Sequence, residues 1–134
     1  MEFRIEPSSR TPIYRQLAEQ IRGAIATGRL AWDERLPSVR ELSRTLVVNP
    51  NTIARVYLEL EREGILNTRP GLGVFVARPH HELTKRARRE RLIQTADALL
   101  TEAVHLGFSA EDVAQLLAER ATRFQWTPEN ASLK

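Results

Sequence analysis

The chain has 134 residues, of which 42% are hydrophobic, and its 20 basic and 17 acidic residues give a formal net charge of +3. This length is enough for one small folded domain with an appendage, and so modest a charge does not by itself indicate a nucleic-acid partner. Because there is no cysteine, disulfides, thiolate metal sites and cysteine nucleophiles are excluded.

The first predicted elements are a short edge strand and a long helix. Phe3 and Ile5 alternate with charged residues, as in a strand with one buried face. Thr11-Pro12 then opens a helix, and Gly28 ends it as a left-handed cap. The apolar residues at helical spacing along this helix are Tyr14, Leu17, Ile21 and Ile25.

Two short helices joined by a tight turn follow. Ser38 and Glu41 predict a capping box at the start of the first helix. Asn49 and Pro50 occupy the preferred N-cap and first helical positions of the second. The apolar face of the second helix consists of Ile53, Val56, Tyr57 and Leu60. This pattern predicts a helix-turn-helix with one face in the core and the other free.

The free face of the second helix carries side chains that can recognise DNA bases. Asn51 can pair bidentately with adenine, Arg55 with guanine, and the methyl group of Thr52 can contact a thymine methyl. The acidic residues of this helix come only at its far end, where phosphates would not meet them. We therefore predict DNA contact, the alternative being an ordinary solvated helix face.

A β-hairpin is predicted directly after the second helix, with strands at residues 65–69 and 73–77. Gly71 and Gly73 supply the positive φ angles that the turn needs. A hairpin at this position is a wing, whose tip can reach the DNA backbone or the minor groove. Arg69 and the bare backbone at Gly71 and Gly73 are the predicted contacts, and the alternative is a structural hairpin that covers the core.

The composition changes after residue 78. Residues 1–78 hold twelve Arg against nine acidic residues, whereas residues 79–134 hold eight basic and eight acidic residues. Arg is the only basic residue type, His aside, before Lys85, and it suits forked contacts to phosphates and bases. We expect a winged helix-turn-helix domain over residues 1–78 and a two-helix dimerisation segment over residues 79–134.

The two C-terminal helices are predicted at about residues 82–106 and from Ser109, which is capped together with Asp112. Two amphipathic helices cannot bury both apolar stripes alone, so a partner surface is expected. The predicted dimerisation residues are Ile93, Ala96, Leu100, Val104, Val113 and Leu117. The basic run from Lys85 to Arg91 either extends the phosphate contacts or forms a solvated helix face.

The segment from Pro12 to Ala77 also contains several motifs at fixed spacing. They are Pro12-Ile13-Tyr14-x-x-Leu17, Gly28-x-Leu30, Arg35-Leu36-Pro37-Ser38-Val39-Arg40-Glu41-Leu42, Asn51-Thr52-Ile53-x-x-Val56-Tyr57, Leu60-Glu61-Arg62-Glu63-Gly64-Ile65-Leu66 and Gly71-x-Gly73-Val74-Phe75-Val76. This combination resembles the winged-helix domain of GntR-type bacterial transcription regulators. The resemblance implies a DNA-binding role for Ser38, Arg40, Asn49, Asn51, Thr52 and Gly71.

The resemblance extends to the arrangement of the whole chain. The tail of about 55 residues is too short for the larger effector-binding or aminotransferase-like domains of many GntR-type regulators. A short helical tail resembles the YtrA-like subfamily, in which it serves mainly to dimerise and membership implies repression. Many relatives have Arg where Pro50 and Ala54 stand, so the operator is expected to differ from theirs.

The function expected from the sequence is a cytoplasmic, homodimeric repressor that binds double-stranded DNA at a pseudo-palindromic operator. The fold class is mainly α with a small β-wing. No catalytic motif, signal peptide or membrane-spanning run is present, so no enzyme activity, cofactor, metal or membrane partner is expected. Residues 80–82 are interpreted as a polar linker, and no motif identifies a small-molecule effector. The alternative is a winged helix used for protein interaction or RNA binding.

Overall fold

The computed structural model describes residues 2–79 and 83–127, and these residues form five helices and two strands. The helices are α1 (Ile13–Ala26), α2 (Val39–Leu46), α3 (Pro50–Arg62), α4 (Lys85–His105) and α5 (Ala110–Ala121). The strands are β1 (Leu66–Arg69) and β2 (Gly73–Val76). This confirms the predicted mainly helical fold with a small β-wing. The polar linker predicted at residues 80–82 lies outside the described residues.

The described residues divide into two compact units. The first contains residues 2–79 and 125–127, and the second contains residues 83–124. The predicted boundary after residue 78 and the dimerisation role of residues 79–134 stay predictions. In the structure the chain after α5 returns to the first unit, because the side-chain amide of Gln125 donates to the carbonyl oxygens of Ile25 (2.7 Å) and Leu30 (3.4 Å).

The N-terminal segment contains no strand over residues 2–6, so the predicted edge strand is wrong. The backbone N–H of Arg4 donates to Oε1 of Gln20 at 2.8 Å, and that of Glu6 donates to Oε1 of Gln16 at 2.9 Å. Side-chain amides of α1 thus replace the hydrogen bonds that a neighbouring strand would make. The alternating pattern reflects the burial of Phe3 against the core.

Helices α2 and α3 begin at the predicted caps. Oγ of Ser38 accepts from the backbone N–H of Glu41 at 3.0 Å, but the backbone N–H of Ser38 does not donate to the Glu41 carboxylate, so the capping box is half complete. Oδ1 of Asn49 accepts from the N–H of Asn51 at 2.8 Å, and Pro50 is the first helical residue. The α2–α3 turn contains Val47, whose φ of 54° is left-handed.

A single apolar core fills the first unit. Helix α3 contributes its predicted apolar face and packs against both α1 and α2. The largest fully buried side chains are Leu17, Ile21, Leu30, Leu36, Ile53, Val56, Leu60, Leu66 and Val76. These residues come from the helices, the loop before α2 and the wing, so the core holds the helix-turn-helix and the hairpin together.

The wing is the antiparallel pair β1–β2, in which Leu66 lies opposite Val76 and Arg69 lies opposite Gly73. Residues 33–36 run along the other edge of β2, where Arg35 forms a bridge with Phe75. Side chains alternate across a sheet, and one face carries the buried residues that join the core. The opposite face, here called the outer face of the wing, carries Asp33, Arg35, Asn67, Arg69 and Phe75.

In the second unit Ser109 and Asp112 form the complete capping box that the sequence predicts at the start of α5. Gly107, with a φ of +84°, follows the end of α4. Only Ala103 and Val113 are buried among the described residues of α4 and α5. Val113 was predicted to be a dimerisation residue, but it is 6% exposed within this unit. No helix in the described ranges is long and apolar enough to cross a membrane.

Candidate nucleic-acid interface

The predicted base-reading residues lie at the exposed starts of α2 and α3. Arg40 is in the first turn of α2, and its guanidinium has no hydrogen-bond or ion-pair partner within the described parts of the chain. Asn49 and Asn51 are exposed at the start of α3, and Thr52 beside them is half-buried. Unpaired N–H groups at helix starts attract anions, so this surface combines free side-chain donors with a favourable site for phosphate.

Two of the predicted contacts use their side-chain oxygens within the protein. Oγ of Ser38 and Oδ1 of Asn49 each cap the helix that follows, as described above. Replacing such a cap costs about 1 kcal/mol of stability, so either substitution would affect folding as well as any contact with DNA. The first role of both residues is to fix the two helix starts.

Arg55 differs from Arg40 because its guanidinium is already held. It lies over the ring of Tyr14, 4.1 Å from the centroid, and its Nε is 3.2 Å from Oε1 of Glu59. Its side chain is 56% exposed, so contact with DNA remains sterically open. A base contact would have to replace the ion pair with Glu59 and the cation–π contact.

A hydrogen bond that the sequence pattern does not reveal joins α3 to the residue before α2. The phenolic O–H of Tyr57 donates to the carbonyl oxygen of Pro37 at 2.7 Å. Burial, and secondarily the negative charge of Glu41, raise the pKa of Tyr57 above its ordinary value of 10.0. The phenol therefore stays protonated and remains a donor at physiological pH, which fixes the start of α2 relative to α3.

On the outer face of the wing, Arg69 is held at two points. Its guanidinium lies over the ring of Phe75, 4.2 Å from the centroid, and 3.4 Å from the carboxylate of Asp33. The same carboxylate accepts from Arg78 at 2.8 Å. Asp33 therefore neutralises part of the charge of both arginines and fixes Arg69 beside the turn.

The two wing glycines have different surroundings. Gly71 has a φ of +75°, and a Cβ built on it would have no atom within 4 Å, so the backbone at the tip is open. Gly73 has a φ of +122°, and a Cβ there would lie 3.0 Å from Nε of Arg35. The open backbone predicted at both positions is thus found at Gly71, whereas the side chain of Arg35 covers Gly73.

The basic run occupies the first two turns of α4, where Arg86 makes an exposed ion pair with Glu90 at 3.6 Å. Thr84 caps the helix by accepting from the N–H of Ala87. Exposed pairs of this kind contribute little to stability, and they leave the cations accessible. In the described parts of the chain no group of three or more His, Cys, Asp or Glu side chains could hold a metal ion.

Comparison with known proteins agrees with this arrangement. Residues 13–76 match the family described as "Bacterial regulatory proteins, gntR family". The chain is 32% identical over 117 residues to the HTH-type transcriptional repressor YtrA of Bacillus subtilis (strain 168), covering 87% of this chain and 90% of that protein. The chain belongs to the GntR family of bacterial regulatory proteins.

Solved structures extend the comparison. A protein titled transcriptional antiterminator from Listeria monocytogenes EGD-e superposes with a TM-score of 0.70 at 30% identity, covering 90% of each chain. The DNA-binding domain of AraR, solved in complex with operator ORX1, superposes with a TM-score of 0.50 at 30% identity. That match covers 57% of this chain and all of the AraR domain.

The match to the GntR family and the YtrA-type relative over most of the chain confirm the predicted resemblance. The relatives are named as transcription regulators, which confirms the prediction of a regulator rather than an enzyme. Pro50 and Ala54 in α3 are both exposed. Leu72, at the wing tip, is also exposed.

Proposed function

We propose that this protein is a sequence-specific transcription repressor that binds operator DNA through the starts of α2 and α3 and through the wing tip. The observation that carries the proposal is that Asn51 is exposed and that the Arg40 guanidinium has no partner in the described chain, on a fold whose AraR relative was solved with an operator. As a bacterial DNA-binding protein, it would act in the cytoplasm.

The proposed base-reading group is small. Asn51 and Thr52 lie in the first turn of α3, where side chains of a recognition helix reach base edges. Arg40 supplies a forked cation without an internal partner in the described chain. Since Pro50 and Ala54 cannot read guanine, we expect an operator that relies less on guanine contacts at these positions than the operators of many relatives.

We further propose that the protein is a homodimer assembled through its second unit. The large apolar side chains exposed on α4, on α5 and on the turn between them are Leu92, Ile93, Leu99, Leu100, Val104, Leu106, Phe108, Leu116 and Leu117. Val104 is 71% exposed although a valine gains free energy by leaving water. An apolar surface of this extent is typical of an interface.

A groove of about 580 Å³ lies between α4 and α5, lined mainly by Leu99, Leu106, Phe108 and Leu116. A second copy of the same unit offers apolar ridges that can fill such a groove, and two-fold pairing is the commonest arrangement of soluble oligomers. A two-fold dimer presents two recognition helices, which favours a pseudo-palindromic operator with half-sites about one helical turn, or a multiple of it, apart.

The test is selection of bound fragments from the source genome with the full-length protein, followed by sedimentation of the protein with the enriched fragment. We expect one enriched motif with inverted symmetry and two chains per duplex. The Arg40→Ala protein, run in parallel, should lose the enrichment. A monomer at micromolar concentration that still binds the fragment tightly would refute the dimer, and absence of any enriched DNA would refute the regulator.

A second candidate function is RNA binding or protein interaction by the winged helix. The observations in its favour are the exposed Leu58 on α3 and the antiterminator title of the Listeria relative. Competition with structured RNA separates the two functions. If RNA displaces the selected DNA fragment at equal concentration, the RNA-binding function is favoured.

A further inference from the structure

We propose that Arg35 contacts the DNA backbone beside the wing tip, toward which its side chain extends past Gly73. This inference rests on the proposed DNA-binding function. It adds a contact from the segment before α2, which lies outside both the recognition helix and the hairpin.

The direction of the Arg35 side chain supports this contact. Arg35 lies directly opposite Phe75, with the backbone bonds from Leu36 N to Val74 O and from Val76 N to Glu34 O, each 2.8 Å, on either side. Its Nε nevertheless lies 3.0 Å from the Cβ position of Gly73, two residues nearer the turn. Since residues two apart on a strand are separated by about 7 Å, a side chain that starts opposite Phe75 and reaches Gly73 must lean toward the wing tip.

The charges on the outer face of the wing also favour this contact. Arg69 and Arg78 both interact with the Asp33 carboxylate, and Arg69 also covers the ring of Phe75. Arg35 is exposed, and its guanidinium has no hydrogen-bond or ion-pair partner in the described chain. Its full charge is therefore available beside a tip expected to approach phosphates.

The surroundings of Gly73 also support this contact. Any other residue at this position would be strained by its φ of +122°, and its Cβ would push against Nε of Arg35. A tight turn alone does not explain this contact, because a Cβ at Gly71, the other wing glycine, would meet nothing within 4 Å. A Cβ at position 73 would force the Arg35 side chain to shift by a few tenths of an ångström, so the glycine also leaves room for Arg35 beside the turn.

The experiment measures the dissociation constant of full-length protein against salt concentration, on the selected operator and on an unrelated duplex of equal length. The variants are Arg35→Gln, Arg35→Lys, Gly73→Ala and the double variant Arg35→Gln/Gly73→Ala. Arg29→Gln is the matched control, because it removes one exposed arginine that follows α1 and bonds to Thr27. Thermal melting of each variant shows whether it is folded.

A phosphate contact predicts that Arg35→Gln lowers the salt slope by about 0.9 for each bound chain, on both duplexes alike. Arg35→Lys and Arg29→Gln should keep the wild-type slope. Gly73→Ala moves Arg35 only slightly and should lower the slope less than Arg35→Gln does, and the double variant should have the slope of Arg35→Gln alone. If Gly73→Ala has a lower melting temperature than the wild type, the comparison of Arg35→Gln with Arg35→Lys still tests the phosphate contact.

An unchanged slope for Arg35→Gln, while Arg40→Ala still weakens operator binding, would overturn this inference and leave the proposed function intact. A lower melting temperature for Arg35→Gln with an unchanged slope would assign Arg35 a structural role only. Failure of the wild-type protein to bind either duplex would instead remove the proposed function, and this inference with it.

Discussion

The hydroxyl group of Tyr57 in α3 donates to the carbonyl oxygen of Pro37, 20 residues earlier, at 2.7 Å. Pro37 is followed by the cap of α2, and Tyr57 is on the apolar face of the recognition helix. One bond therefore fixes the relative position of the two helix starts that carry Arg40 and Asn51. The geometry of the proposed DNA surface depends on a residue that never reaches DNA.

Replacing Tyr57 by Phe should lower the free energy of unfolding by about 1 kcal/mol, because the Pro37 carbonyl loses its partner. The effect should also depend on pH. Since the folded pKa of Tyr57 is raised, the unfolded chain alone loses this proton above about pH 10, and wild-type stability falls as pH rises. Denaturant titrations at pH 7 to 11 should show that the difference in unfolding free energy between wild type and Tyr57→Phe decreases only above pH 10. If this difference in unfolding free energy stays constant up to pH 11, the raised pKa of Tyr57 in the folded state is contradicted.

Arg40 and Arg55 should respond differently to substitution by Ala. We expect Arg40→Ala to weaken operator binding by about 1–3 kcal/mol, as for a residue that reads a base. Arg55→Ala should weaken it less, because Tyr14 and Glu59 already hold that guanidinium. Fluorescence anisotropy with labelled operator measures both, and Arg62→Ala, at the opposite end of α3, is the matched control. Unchanged affinity in Arg40→Ala would show that its assignment is wrong.

Local signals in the sequence predicted the element boundaries well. Asn49-Pro50 marks the start of α3, and Gly28 has the left-handed backbone expected after α1. These signals act over four or five residues, which is the range of caps and turns. They also placed the exposed face of α3 correctly, because helical periodicity alone decides it.

The arrangement of side chains on the wing could not be predicted in the same way. Asp33 and Arg78 are 45 residues apart, and the segment that carries Asp33 and Arg35 pairs with β2 over too few residues for an alternating pattern to reveal it. Contacts between distant segments follow from how the core closes, which no local pattern encodes. For the same reason Arg55 was predicted to be free, although the ring of Tyr14 from α1 lies beneath it.

The basic run at the start of α4 can be tested by charge removal. If Lys85 and Arg89 meet phosphates, replacing both by Gln should lower the salt slope by about 0.9 for each phosphate that is no longer neutralised. Replacing Arg120 and Arg123, at and just after the end of α5, removes the same charge and serves as the control. An unchanged slope would assign the run to solvent or to the dimer.

The proposed dimer predicts that Leu100→Glu and Val104→Glu give monomers. Both side chains are exposed in the single chain, so the substitution should not disturb its fold, but a charge at an apolar interface is costly. Gln94→Glu places the same charge on an exposed position of the same helix and should leave the dimer intact. Sedimentation equilibrium distinguishes monomer from dimer. If Leu100→Glu and Val104→Glu both keep the molecular mass of the wild-type assembly, the proposed interface is contradicted.

The left-handed backbone of Val47 has a consequence for the order of folding. Branched residues rarely adopt this conformation, which costs about 1–2 kcal/mol for an L-residue, and the side chain of Val47 is 89% exposed and gains little from packing. The turn is held instead by Ser43, whose hydroxyl donates to the Val48 carbonyl at 2.6 Å, and by the burial of Val48. The helix-turn-helix should therefore close late in folding. Relieving the strain with Val47→Asn should then mainly slow unfolding and leave the refolding rate nearly unchanged, which stopped-flow kinetics would measure.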